Sequence, residues 1–213
     1  MGKLTYLGHA SFLIESSWYK IVLDPYGKSS VPFMEFPKKS VPEVDAVFCS
    51  HNHLDHAATN LVKVKLMKPV VLKPVLSLVP HDHHEGHKRG LNTIRMFDVD
   101  GIKVVHLGDI GCIPKPNLLE PFKKCDILLA PINGHFTIDS NELVEIVKMI
   151  EPRIVIPMHY FMKEYNSGYP DKDAIREFEK LFPNHQYLET PVLDLQEYKD
   201  YTGALIFKKY VQD

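Results

Sequence analysis

Cysteine is scarce in this chain and forms no motif: Cys49, Cys112 and Cys125 are odd in number, widely spaced and never arranged as Cys-x-x-Cys. A disulfide framework is therefore not expected; reduced, buried thiols in a cytoplasmic chain are. No apolar run approaches the ~20 residues that span a bilayer, and residues 1–15 lack the charged head and long apolar stretch of a signal peptide. Membrane insertion is not expected. An excess of positive charge is missing as well, since 25 basic residues stand against 27 acidic ones for a net charge of -2. Such a chain offers no broad electropositive surface to nucleic acid, which argues against a dedicated nuclease. What is present is apolar mass, 45% of 213 residues, enough for a large core in one domain spanning residues 1–213. Oligomeric state is not legible.

Histidine is also present, 12 in all, and unevenly placed. Ser50-His51-Asn52-His53-Leu54-Asp55-His56 packs three imidazoles and a carboxylate directly after the apolar run Ala46-Val47-Phe48-Cys49. These side chains hold Zn, Mn or Fe through nitrogen and oxygen. In an extended segment their alternation sends His51, His53 and Asp55 to one side and His56 elsewhere. A single ion could hardly accept all four groups from so short a loop, which favours two neighbouring ions. A polar loop in a histidine-rich chain is the bland alternative.

The pattern His51-x-His53-x-Asp55-His56 resembles the signature of the metallo-β-lactamase superfamily. That resemblance implies an α+β fold, a four-layer αββα sandwich with a metal-bearing cleft at one edge. Gly8-His9-Ala10-Ser11-Phe12 and Leu23-Asp24-Pro25 are similar to the start of one branch, which includes bacterial Zn-dependent hydrolases, ascorbate-6-phosphate lactonases and N-acyl-phosphatidylethanolamine phospholipase D. By that likeness Asp24 buttresses a ligand histidine and His9 lines the cleft; read alone, His9 is a solvated or structural turn residue.

The tract His81-Asp82-His83-His84-Glu85-Gly86-His87, followed by Arg89-Gly90-Leu91-Asn92, resembles the branch in a register that makes His81 the third ligand of the first metal. His83, His84 and His87 are left at the cleft rim or in solvent. The same likeness makes Asp109, in Gly108-Asp109, the carboxylate that bridges two metals, and His159, in Ile156-Pro157-Met158-His159-Tyr160, the last ligand. The segment around Gly134-His135-Phe136-Thr137 resembles a Gly-x-Tyr-Thr stretch of the branch, where His135 either faces substrate or is solvated. His106 is expected behind the ligands rather than among them. The resemblance is at the level of motifs through roughly Tyr160 and indistinct beyond.

The implied set is His51, His53 and His81 on one ion, Asp55, His56 and His159 on the other, and Asp109 between them. Two divalent metal ions are expected, zinc first, with Mn or Fe as alternatives. The expected chemistry is hydrolysis of a small ester, lactone or phosphoester by a metal-bridging hydroxide, with Asp55 and Asp109 at the reacting centre. His9, His106 and His135 are the candidates to move a proton or hold a developing anion. A small-molecule substrate is the expected partner. Two alternatives stay open: a phosphodiesterase or nuclease acting on short RNA or cyclic nucleotides, and a metal-binding or redox protein without hydrolytic turnover. Diiron redox chemistry is disfavoured, because flavodiiron-type relatives place a carboxylate where His53 stands.

Pattern and punctuation place strands over 4–7, 11–15, 20–23, 46–49, 70–72, 75–79, 92–98, 102–107, 126–131, 153–157 and 203–210. Helices are expected within 55–67, over 117–124, after a capping box at Asp139 and Glu142, and over 171–181. Residues 27–42, with an exposed-looking Phe33-Met34-Glu35-Phe36, read as a loop that either lids the site or packs on the body.

Overall fold

The short β-branched and aromatic runs form strands in the computed structural model, which describes residues 2–28, 30–31, 34–65, 74–82, 84–162 and 172–213. In chain order they are β1 (Lys3–Gly8), β2 (Ser11–Glu15), β3 (Lys20–Leu23), β4 (Ala46–Phe48), β5 (Val75–Pro80), β6 (Leu91–Val99), β7 (Ile102–His106), β8 (Ile127–Pro131), β9 (Ile154–Met158), β10 (His185–Leu188), β11 (Val192–Asp194) and β12 (Gly203–Phe207). Among the described residues there are also three α-helices, α1 (Pro116–Leu119), α2 (Ser140–Ile150) and α3 (Ala174–Leu181), and 3-10 turns at Thr59–Leu61 and Glu120–Phe122.

The strands make two sheets, ordered β11-β1-β2-β3-β4 and β10-β12-β9-β8-β7-β6-β5. Aromatic side chains knit them face to face. The Tyr6 and Phe12 rings lie 5.3 and 6.4 Å from that of Phe207 in the other sheet, and Phe48 meets Phe97 edge-on at 5.2 Å. This is the expected α+β sandwich.

Strand direction decides where the chemistry gathers. Strands β7, β8 and β9 run parallel, and β5 points the same way because two antiparallel pairings separate it from β7. Their carboxyl ends therefore lead to one edge, where the chain continues into His81, Asp109 and His159. In the smaller sheet β3 and β4 are parallel, and β1, two antiparallel pairings from β3, shares their direction. These three end at His9, Asp24 and His51.

Local rules account for much of the rest. Asp100 and Gly101, at φ 54° and 88°, form the two-residue hairpin turn that Asp-Gly favours. Helix α2 opens on the capping box: Glu142 N–H donates to Asp139 Oδ1 at 2.8 Å and Asp139 N–H to Glu142 Oε2 at 3.1 Å. Leu143, Ile146 and Ile150 form its buried stripe.

Three expectations change. The helix placed within 55–67 is instead a turn followed by the 3-10 turn at Thr59–Leu61. Backbone bonds from Gly27 N–H to Leu54 O and from Ala58 N–H to Pro25 O tie this stretch to the segment after β3, so tertiary pairing takes groups a helix would use. Met34 and Phe36, read as exposed, are buried; with Tyr26 Oη within hydrogen-bond distance of the carbonyls of Leu7 and Glu35, this loop packs on the body. Strands β10 and β11 had no counterpart in the sequence reading. The expected strand over 70–72, Phe33, His83, and the ends of two expected helices at 66–67 and 171 lie outside the described residues. No helix among the described residues is long and apolar enough to cross a membrane.

Candidate metal centre

Six histidines and two carboxylates converge at the shared edge. Among the described residues their ligand atoms fall into three groups, each with all members within 4.8 Å of one another: His9, Asp55, His56 and His159; His51, His53 and His81; His51, His56 and Asp109. The third group joins the other two. Asp109 Oδ2 lies 3.1 Å from His81 Nε2, 3.9 Å from His51 Nε2 and 3.7 Å from His56 Nε2, while its Oδ1 lies 3.1 Å from His159 Nε2.

The loop after β4 does not run extended. It bends at residues 51–53 and turns at 54–56, closed by His56 N–H donating to His53 O at 2.9 Å. The turn peels Asp55 away from His51 and His53 and sets it beside His56, which corrects the one-sided alternation expected from an extended segment.

Two buried residues fix the ring tautomers. Asp24 accepts from Ser50 N–H at 2.6 Å and Ser50 Oγ at 2.5 Å, and pairs with His56 Nδ1 at 2.7 Å. With the Ser50 hydroxyl proton committed to Asp24, His51 Nδ1–H must donate to Ser50 Oγ at 3.0 Å. His56 Nδ1–H likewise donates to Asp24. Both imidazoles therefore turn Nε2 into the cluster, the atom each would offer to a metal. Asn92 holds the opposite wall, accepting Asp109 N–H at 2.9 Å and donating to Leu107 O at 2.8 Å.

Gly108 makes this convergence possible. Its φ is 65°, and a Cβ there would stand 2.3 Å from Asn92 Oδ1 and 2.4 Å from Ser50 Cβ. Strain also collects here: His9, Asp24 and His159 adopt φ of 56°, 44° and 55°, a region that costs a non-glycine residue about 1–3 kcal/mol and clusters at functional sites. The backbone locks two of them together, since His159 N–H donates to His9 O at 3.0 Å and Tyr6 Oη donates to the same oxygen at 2.9 Å.

The electrostatics are those of a cation site. Burial opposes ionisation of Asp24, but the His56 partner outweighs it and holds the carboxyl at about 2. Burial alone would lower His56; the carboxylates of Asp109, Asp24 and Asp55 lift it to about 9. Burial, aided by the charge of His56, pushes His51 to about 3, and burial with His9 and His56 does the same to His159. Asp109 stays well below the usual carboxylate range despite its burial, because His159, His56 and His81 surround it.

The donor set fits divalent metal. His9 Nε2 faces His56 Nε2 at 3.1 Å, and His51 Nε2 faces His53 Nδ1 at 2.9 Å, so ring nitrogens converge in pairs at the spacing of ligands around one ion. Asp109 Oδ1 is buried with no hydrogen-bond donor among the described residues. Such an arrangement is costly without a positive centre.

The outlying candidates divide. His106 is buried with both ring nitrogens committed to backbone, Nε2 to Ala10 O at 2.8 Å and Nδ1 to Gly108 N–H at 3.1 Å. It supports the Asp109 loop and has no nitrogen left for proton transfer to substrate. His135 is exposed on the loop after β8, beside Phe136 and outside the three groups. His84 and His87 are also exposed. Ser50 and Asn92 escaped the sequence reading as positioning residues. Ser50's place directly before His51 was the available signal, but its role depends on contact with Asp24 from another strand.

Residues 3–159 match the profile of the Beta-lactamase superfamily domain. The chain belongs to the metallo-β-lactamase superfamily. As a superfamily member it resembles a UPF0173 metal-dependent hydrolase of Pelotomaculum thermopropionicum, 29% identical over an alignment covering 74% of this chain and 84% of that protein. It is 31% identical to a UPF0173 protein of Pyrococcus furiosus, with 74% and 83% covered. A Thermotoga maritima structure, assigned to the Zn-dependent hydrolases of the metallo-β-lactamase superfamily, superposes with a TM-score of 0.71 at 27% identity, covering 97% of this chain and 98% of that one.

Proposed function

We propose that this metallo-β-lactamase superfamily member is a dinuclear metal hydrolase of small esters, lactones or phosphoesters, with zinc as its metal. The observation that supports this reading is the position of Asp109, one carboxylate whose two oxygens face both donor groups. His51, His53 and His81 would hold one ion, and Asp55, His56 and His159 the other. A bound pair supplies a water ionised near neutral pH and a Lewis acid for the substrate oxygen.

The chain's own residues do the rest. Asp24 and Ser50 orient His56 and His51, Asn92 and Gly108 set the Asp109 carboxylate, and buried walls hold these side chains in place. Leu54, 79% exposed within the ligand loop, offers an apolar contact to substrate. Of the three histidines considered for proton transfer, His9, His106 and His135, the last is the one that lies outside the cluster with a solvent-facing side chain. The cysteine pattern fits a cytoplasmic setting.

Elemental analysis of protein purified without added metal should find two divalent ions per chain. A panel of ester, lactone, phosphomonoester and phosphodiester substrates then tests the reaction. Asp109→Ala should abolish turnover with an unchanged circular dichroism spectrum; retained rates would refute the mechanism. Salt-sensitive binding of short labelled RNA, with phosphodiester cleavage, would shift the assignment to a nuclease.

A further inference from the structure

We infer that His9 is a fifth protein donor at the second of the two metal positions, making that position closed and leaving substrate to the first. The inference rests on the dinuclear reading above and assigns the two positions different work.

Placement carries it. His9 Nε2 lies 3.1 Å from His56 Nε2 and 3.6 Å from Asp55 Oδ2, and its ring centroid is 4.2 Å from that of His159. It belongs to the same 4.8 Å group as Asp55, His56 and His159. The residue is 2% exposed and held in the left-handed region at φ 56°. A turn histidine with only a solvated role would need neither that burial nor that backbone conformation.

The two donor groups then differ in kind. His9, Asp55, His56 and His159 supply four protein donors, with Asp109 as the shared fifth, and three of the four are buried. His51, His53 and His81 supply three imidazoles plus Asp109, and His53 is exposed. The second position thus has one protein donor more than the first, and an ion with fewer protein ligands is the one that keeps room for water or substrate. Of the eight donors His53 is the exposed one, Asp55 is half-buried and the rest are buried, so solvent reaches the cluster most readily at the first group.

Cobalt titration of the ion-free protein tests this. Wild type should take up two equivalents, one more tightly, with visible bands weaker than those of tetrahedral cobalt. His9→Asn, chosen because asparagine tolerates the left-handed region, and His9→Gly should both weaken the tight class by more than about 100-fold. That exceeds the 10–100-fold cost of losing an outer hydrogen-bonding partner. Both should also intensify the bands of that class as the coordination number falls. Added azide should perturb only the bands of the weaker class. Wild-type bands and affinities in the two variants would overturn the His9 assignment, while uptake of one equivalent by wild type would overturn the dinuclear reading itself.

Discussion

At the scale of single residues, the site depends on side chains that never meet an ion. Asp24 bonds three groups at once, and removing its negative charge leaves His56 Nδ1 and Ser50 without a strong acceptor. Asp24→Asn keeps the shape and tolerates the left-handed φ, so the fold should survive while metal affinity falls about 10–100-fold, measured by competition with a chromogenic chelator. Gly108→Ala is a different failure. Its Cβ would collide with Asn92 and Ser50, and overpacking of this kind costs about 1–3 kcal/mol. A lower melting temperature together with lost metal content is the expected result; a wild-type melt would show that the loops can separate without penalty.

At the scale of elements, the loop following His81 is clamped by one carboxylate. Asp82 accepts backbone N–H groups of His84 and Gly86 on Oδ1 and of Lys88 and Arg89 on Oδ2, at 2.7 to 3.2 Å. Desolvation works against its ionisation, but the four donors win and hold it at about 2. The folded value lies below the unfolded one of 3.8, so the clamp is fully present above about pH 4 and lost as pH falls through about 2. Asp82→Asn cannot accept all four bonds at neutral pH. Limited proteolysis should cut the variant faster within residues 82–90; equal rates would mean the loop is held by other contacts.

The elements that were legible in the sequence were those with their own local signals. The Asp-Gly turn, the Asp139 capping box and the alternating runs of β1 to β3 satisfy nearest-neighbour rules, and they formed where those rules placed them. The helix expected within 55–67 had no comparable cap, and tertiary hydrogen bonds displaced it. Strands β10 and β11 are short and mostly polar; β11 exists because β1 offers it an edge.

At the scale of the whole molecule, the ion-free protein carries opposing titrations in one cluster. His56, raised to about 9, contributes stability that is full below its unfolded value near 6.5 and lost as pH rises through 9. His51 and His159, lowered to about 3, stay neutral while the unfolded chain takes up protons, so stability also falls as pH drops below 6.5. The melting temperature of metal-free protein should therefore peak near pH 6.5. A profile that climbs steadily to pH 9 would contradict these environments. Divalent metal should raise the melt in proportion to the logarithm of its concentration, and chelation should reverse the gain.

The sequence by itself determined which atoms can bind metal and most of the strands that carry them, because ligand chemistry and hydrophobic alternation are local properties. It also marked Gly108 and Asp24 as neighbours of the site through resemblance. Resemblance to the superfamily had also divided the donors, with Asp55 beside His56 and His159. Only the tertiary structure decided whether His9 enters the cluster and whether His106 keeps a usable nitrogen, because both depend on strands far apart in the chain meeting at one edge, a geometry that no local spacing encodes.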